Sequence, residues 1–222
     1  MAITLAVGTS ASIVSTYGAA QAFTAATNAT ETVLSMAATG TIAVNDFVEV
    51  TSGWSLLDGR IARVKAFTLN VSITLELIDT SSTSQYPGGS TAAAGSVRRI
   101  AASSGFTGLT QLTSGIQIGG GDQQFADITT LQDRNQRQIP TTRAPITVTL
   151  PTFFDQSLAW VAVVRAASAS GAATGLLLVY PNGSRTIANA YWSMRDMPTI
   201  EDSTLRSEIS LSLASTAVTY AT

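Results

Sequence analysis

The eight residues VSITLELI at Val71–Ile78 set Val71, Ile73, Leu75 and Leu77 in one phase and Ser72, Thr74 and Glu76 in the other. A period of two puts the two sets on opposite faces of a strand, so this segment predicts a half-buried antiparallel strand. Glu208–Ala214 (EISLSLA) repeats the pattern, with Ile209, Leu211 and Leu213 against Ser210 and Ser212. Ile146–Leu150 (ITVTL) does so with Thr147 and Thr149 against Ile146, Val148 and Leu150. Further strands are predicted at Phe47–Thr51, Gly59–Ala66 and Phe125–Leu131. Leu176–Tyr180 and Thr186–Met194 flank Pro181-Asn182-Gly183-Ser184, and Asn-Gly accepts the positive φ angles of a tight hairpin turn. A chain built from such runs is mainly β.

One segment departs from this pattern. Asp155 predicts a cap for a helix from about Gln156 to Ala167. Leu158–Val164 is apolar without a break, and a buried strand is the competing reading of the same run. As a helix, Leu158, Trp160, Val161, Val163 and Val164 would project to nearly every side, more than one sheet face can cover. The uncovered part, with Val163 and Val164, is predicted to meet a neighbouring subunit or the first half of the same chain.

Three stretches read as arms or loops. Ala19–Thr39 is rich in Ala, Thr and Asn with weak periodicity. Residues 80–96 form a long polar loop that includes Tyr86, Pro87 and two glycines in succession. QDRNQRQIPTTRAP, between two predicted strands, carries Arg134, Arg137 and Arg143, with Asp133 beside them. Segments 80–96 and 132–145 are too long for hairpin turns and are predicted to gain order from neighbouring subunits. The three arginines read as a charge-paired interface arm, with a phosphate-binding patch as the competing reading. A junction near Arg98–Gly105 divides the chain into 1–99, an N-terminal β region with arms that either forms a subdomain or extends the same sheets, and 100–222.

Composition narrows function. The chain has 222 residues, no Cys and no His, which removes disulfides, thiolate zinc sites and the commonest general base and metal ligand. Charged types make up 12%, Lys occurs once, and Ser and Thr fill about a quarter of the chain. A free surface of this size carries about 25–35% charge. Packing against copies of the same chain is one explanation, and a Thr-rich solvated β surface is the other. Net charge is −2, without the basic excess of a nucleic-acid binder. No segment nears the ~20 apolar residues of a membrane span, and no export signal is evident, so a cytoplasmic site of synthesis is predicted. No phosphate loop, dinucleotide fingerprint or metal spacing occurs, and no cofactor is predicted. Gly119-Gly120-Gly121-Asp122 reads as a turn. Asp196, Glu201 and Asp202 beside Pro198 read as a polar connector rather than a carboxylate pair. Trp160 and Trp192 read as core, and Trp54 sits in a turn-rich stretch that leaves both burial and exposure open to it.

The second half has a recognisable order. FADITTLQDRNQRQIPTTRAPITVTL, one helix, LLLVYPNGSRTIANAYWSM and EISLSLAST together resemble the major tail tube protein of long-tailed, non-contractile bacteriophages, over roughly residues 105–222. VEVTSGWSLLDGRIARVK resembles N-terminal regions of some of these proteins. The resemblance implies a ring-forming β-sandwich with one flanking helix. It implies homo-hexameric rings whose inner sheets join into a barrel, stacked into a tube in the virion tail. It also implies a tape measure protein and terminator or baseplate proteins as partners, no catalysis, and DNA crossing the lumen without specific binding. Thr147, Thr149, Glu208, Ser210 and Ser212 are then lumen candidates, since a wall of hydroxyls and carboxylates adds no cationic grip on phosphate. Six copies carry a formal charge of about −12. A tail terminator or baseplate ring protein on the same fold is the nearest alternative, and a carbohydrate-binding β-sandwich a more distant one.

Overall fold

The computed structural model describes residues 8–113, 116–132, 134–201 and 204–221, with only the backbone of Glu201. Among these the strands are β1 (Ser10–Val14), β2 (Ala20–Ala26), β3 (Val33–Met36), β4 (Phe47–Ser52), β5 (Ile61–Thr68), β6 (Ser72–Leu75), β7 (Gly95–Ile100), β8 (Phe106–Leu109) and β9 (Gln117–Gly119). Then follow β10 (Gln123–Asp127), β11 (Gln138–Arg143), β12 (Thr147–Phe153), helix α1 (Ala159–Ser170), β13 (Thr174–Val179), β14 (Arg185–Met194), β15 (Thr199–Glu201), β16 (Thr204–Leu213) and β17 (Val218–Tyr220). The fold is mainly β with one α-helix, as the alternating runs predict.

Three bodies of sheet result. A closed barrel runs β2-β3-β6-β5-β4-β7. A large antiparallel sheet runs β8-β1-β13-β14-β16-β12-β9, with β15 beside β16 and β17 beside β14. β10 and β11 form a separate two-stranded ribbon. The second layer over the large sheet is thus a closed barrel, a form that leaves no barrel edge for stray pairing. Residues 20–100 build the barrel, while β1 from the N-terminal region lies between β8 and β13 in the large sheet.

The barrel core takes Phe23, Leu34, Phe47, Val64, Ile73 and Leu75, and it is continuous with Leu177, Ile187 and Tyr220 of the large sheet. A second core on the other face of that sheet holds Ile13, Val148, Leu150, Trp192, Ile209 and Leu211 with Trp160, Val161 and Val164 of α1. Trp160 and Trp192 are core, as predicted, and each indole N–H finds an acceptor, Thr110 Oγ1 at 3.3 Å and the Thr174 carbonyl at 2.9 Å.

Several sequence expectations are corrected. Ala19–Thr39 is not an open arm but contains β2 and β3, which bury Phe23, Ala26, Leu34 and Met36. A register shift between Phe23 and Ala25 breaks the alternation, and small Ala side chains hide what remains of it. The Val71–Ile78 strand is shorter, Ser72–Leu75, because Leu77 adopts a left-handed φ of 57° and turns the chain. Trp54 is buried, stacked edge-on against Tyr86 at 5.3 Å, and its indole donates to the Pro87 carbonyl at 2.8 Å. Segment 80–96 is therefore held by the chain's own barrel, through Tyr86, Pro87 and the buried Ala93 of a 3-10 turn at Ser90–Ala93. The helix starts at Ala159, later than predicted, and its N-cap is Leu158 without a side-chain bond. Asp155 instead accepts from the Ser157 N–H at 2.9 Å, forming a local turn ahead of the helix.

Two tyrosines tie barrel to sheet. The Tyr17 hydroxyl accepts from the Gly175 N–H at 3.1 Å, and that of Tyr220 accepts from the Arg63 N–H at 2.9 Å. Burial, first among the causes, pushes both hydroxyls up to about 12. The folded-state values stand above the ordinary 10.0, so their contribution to stability is complete below pH 10 and is lost as pH rises toward 12. Chemical denaturation at about pH 8 and about pH 11 should show this loss, and Tyr220→Phe should reduce it. Equal stability at both pH values in the parent chain would refute the coupling.

Candidate functional site

The five predicted lumen positions lie on one face of the large sheet. β12 and β16 pair antiparallel with Thr147 opposite Ser212, Thr149 opposite Ser210 and Pro151 opposite Glu208. β16 pairs β14 with Tyr191 opposite Ser212 and Ser193 opposite Ser210. β9 adds Gly119 opposite Thr147 and Gln117 opposite Thr149. Residues directly opposite across a ladder share a face. Two continuous rows follow: Gly119, Thr147, Ser212, Tyr191 and Gln117, Thr149, Ser210, Ser193. The intervening residues Val148, Leu150, Ile209, Leu211 and Trp192 point to the other face and are buried there with α1.

The barrel covers only part of the polar face. Along β14 the column Ile187, Asn189, Tyr191, Ser193 points one way. Ile187 and Asn189 are 0% and 2% exposed beneath the barrel, whereas Tyr191 is 52% exposed and Ser193 is open. The border is pinned by Asn189, whose Nδ2 donates to Glu49 Oε1 at 2.9 Å and to the Gly59 carbonyl at 3.2 Å. Arg98 donates to the other Glu49 oxygen through Nε at 2.9 Å and through Nη2, completing a charge-paired joint in which Glu49 is buried and Arg98 stays partly open to solvent. Beyond that border, the last residues of β14 together with β16, β12 and β9 present four uncovered strands.

The chemistry of the face is that of hydrated hydroxyls. Glu208 stands in the next row, and its Oε1 accepts from Ser210 Oγ at 3.3 Å. Tyr191 and Ser193 belong to this face although the sequence reading does not place them among the lumen candidates; the alternation that assigns Trp192 and Met194 to the core already sets them opposite. No group of three or more potential metal ligands occurs among the described residues.

The interface candidates scatter. Tyr86 is buried in the barrel and Val164 in the helix core, which leaves neither with surface to offer a neighbour, and Val163 is half-buried. Pro87 is exposed. Arg134, Arg137 and Arg143 all lie exposed on the ribbon or its tip. Much of the polar arm is thus a strand, β11, paired with β10. Within it Arg143 Nε donates to Gln123 Oε1 at 3.3 Å, and the Arg137 backbone N–H donates to Thr129 Oγ1 at 3.0 Å. Asp133 and Asp202 lie outside the described residues, as does the side chain of Glu201. Asp196 accepts from Arg165 Nε at 3.0 Å and is engaged as a surface ion pair.

The ribbon leaves the sheet at the glycine turn. Gly120 has φ 76°, and a Cβ there would lie 2.1 Å from the Pro145 carbonyl oxygen, so only glycine lets the two chain segments pass. Phe125, Ile128, Leu131 and Ile139 are exposed along the ribbon and its tip.

The family model described as phage tail tube protein, TTP, matches residues 52–222. The match takes in the whole polar face, the ribbon and α1. No curated protein matches the chain.

Proposed function

The chain belongs to the phage tail tube protein family, and from that premise we propose that it forms hexameric rings, stacked into a tail tube, whose lumen wall is the uncovered polar face. It is a structural protein of the phage tail. The observation that carries the lumen reading is convergence. Thr147, Thr149, Glu208, Ser210 and Ser212, from strands far apart in sequence, occupy one face that the chain's own barrel and helix leave open. Four strands from each of six copies would close a barrel in which every edge is paired. The short β9 offers one such edge, and the far side of β14 beyond Ala190, where pairing with β13 ends, offers another.

The ribbon supplies the second kind of contact. Its apolar side chains and Arg134, Arg137 and Arg143 reach away from both cores, a form suited to the adjacent ring. DNA then crosses a wall of hydroxyls during ejection, and the tape measure protein occupies the same lumen beforehand. Terminator and baseplate proteins would bind the two ends of the tube, and assembly would take place in the host cytoplasm.

The absence of cysteine makes the lumen test clean. Ser210→Cys in assembled tubes should react with a small maleimide and resist a polymer-linked maleimide too wide for the lumen, while free subunits react with both. A thiol at this position open to the bulky reagent in intact tubes would place the face outside. A thiol closed to both reagents would place it in a subunit contact. Either result overturns the lumen reading. Negative-stain images of the same samples should show tubes.

A further inference from the structure

Asn182-Gly183 is the one place in the chain where asparagine precedes glycine; Asn28, Asn45, Asn70, Asn135 and Asn189 each precede a residue with a side chain. Asparagine is thermolabile because the main-chain nitrogen of the next residue attacks its side-chain amide carbon and closes a five-membered imide. A following Cβ crowds that approach, and glycine has none. Asn189 is removed from this chemistry by burial within β14, at 2% exposure, whereas Asn182 stands exposed at the tip between β13 and β14.

The fold ties up both reacting groups. The Gly183 N–H donates to the Tyr180 carbonyl at 2.9 Å, so the attacking nitrogen is engaged on the far side of the turn. Asn182 Oδ1 accepts from the Ser184 N–H at 3.1 Å and from Ser184 Oγ at 2.6 Å, which fixes the side-chain amide toward Ser184. The Tyr180 N–H closes the turn on the Ser184 carbonyl at 2.9 Å. The nitrogen meets the amide carbon only when the turn opens, so the rate follows the population of the open turn. Among these bonds, Ser184 Oγ is the one donor that a side chain supplies, and it can be removed without touching the backbone.

We propose that Asn182 is the site at which this chain deamidates and that Ser184 sets the pace by holding the side-chain amide. The Gly183 nitrogen bonds to Asn182 Cγ and gives its proton to water or hydroxide. The Cγ–Nδ2 bond breaks, and the side-chain nitrogen leaves as ammonia. One water then opens the imide at either carbonyl and leaves aspartate or isoaspartate. The sum is amide plus water to acid plus ammonia. Isoaspartate carries the main chain through one extra carbon, in a turn that β1 also meets. Gly8 lies against Pro181, whose Cγ would be 3.6 Å from a Cβ at Gly8, and Ser10 pairs with Val179. The reaction belongs to the subunit itself and is independent of the lumen reading.

The test incubates the full chain in warm, mildly alkaline buffer, digests it with trypsin and follows peptide 166–185 by mass. Asn182 is the only asparagine in that peptide. It should gain the mass of an amide-to-acid exchange before any other asparagine-bearing peptide does. An aspartate-specific protease should cut only part of the product, the rest being isoaspartyl. Ser184→Ala should deamidate about fivefold faster than the parent, the effect of one hydrogen bond on turn opening. Ser184→Thr, which keeps the hydroxyl, should return to the parental rate. The full chain unfolded in urea should outpace all three. Earlier conversion at another asparagine overturns the assignment of the site. A parental rate in Ser184→Ala, with unchanged circular dichroism, overturns the role of Ser184, and so does a Ser184→Thr rate equal to that of Ser184→Ala. Equal rates in the folded and unfolded parent chain overturn the protection by the turn.

Discussion

Replacing residues 123–143 with a short Gly-Ser turn should abolish tube growth and leave a folded subunit. β10 and β11 pair only with each other, and both lie outside the barrel and the large sheet. Neither contributes a residue to the two cores. Removing them should therefore cost the subunit little, because no buried group is touched. What would disappear is the surface proposed to meet neighbours. Phe125 and Ile139 are 58% and 46% exposed, and burying a side chain of this size contributes roughly 1.5–3 kcal/mol. Two-stranded ribbons are marginal on their own in water, so on the proposed stacking role this one would draw its lasting order from an assembled state. Thermal unfolding should match the parent, and sedimentation should show subunits or single rings in place of tubes. Normal tubes from the shortened chain would show that the ribbon is no stacking element. The other long segment, 80–96, predicted from sequence to gain its order from neighbours, behaves differently. Deleting 84–94 would remove buried Tyr86 and Ala93 and strip Trp54 of its acceptor. Loss of the subunit itself is the outcome the structure predicts there.

What is legible in the sequence follows from how burial writes itself into residue order. Glu208–Ala214 and Ile146–Leu150 bury one face and wet the other, so their alternation reads directly into β16 and β12, and the lumen candidates fall on one face. The Asn182-Gly183 turn is equally direct, with Gly183 at φ 82° and β13 paired to β14 across it. β2 and β3 stay hidden because Ala26 serves as core where a larger residue would mark the period, and because a register shift interrupts β2. β11 is hidden for the opposite reason. All six of its residues are exposed, so no inside–outside pattern exists to read, and Pro140 within it argues against a strand except at an unpaired edge. Trp54 stays undecided in the sequence because its neighbours are turn formers, and a turn can carry one aromatic inward when a distant segment, here Tyr86–Pro87, closes over it.

Val164→Asp should abolish the folded subunit, whereas Ala162→Asp two residues away should leave it intact. Successive helical residues turn by about 100°, and Trp160, Val161, Val164 and Ala167 fall within an arc of about 120°. These four are the buried residues of α1. Ala162 and Ala166, on the outer arc, are exposed, and Arg165 beside them pairs with Asp196. The run that reads as apolar all round is thus one-sided once alanine is recognised as tolerable at the surface, and the chain's own sheet covers the large side chains. Val164 has no accessible surface and sits among Trp160, Trp192 and Ile209 in the second core. A carboxylate there would be stranded without a partner or forced to stay protonated, a loss of more than about 4 kcal/mol on a total stability of about 5–15 kcal/mol. Ala162→Asp should change stability by less than about 0.5 kcal/mol. Val163, half-buried at the rim of the arc, is the position that separates folding from assembly. Val163→Asp should retain the circular dichroism of the parent and lose the tubes if a neighbouring subunit completes its cover. Normal tubes from Val163→Asp would mean that the helix faces no neighbour at this rim. A folded Val164→Asp subunit would mean that α1 does not close the core as its buried arc requires.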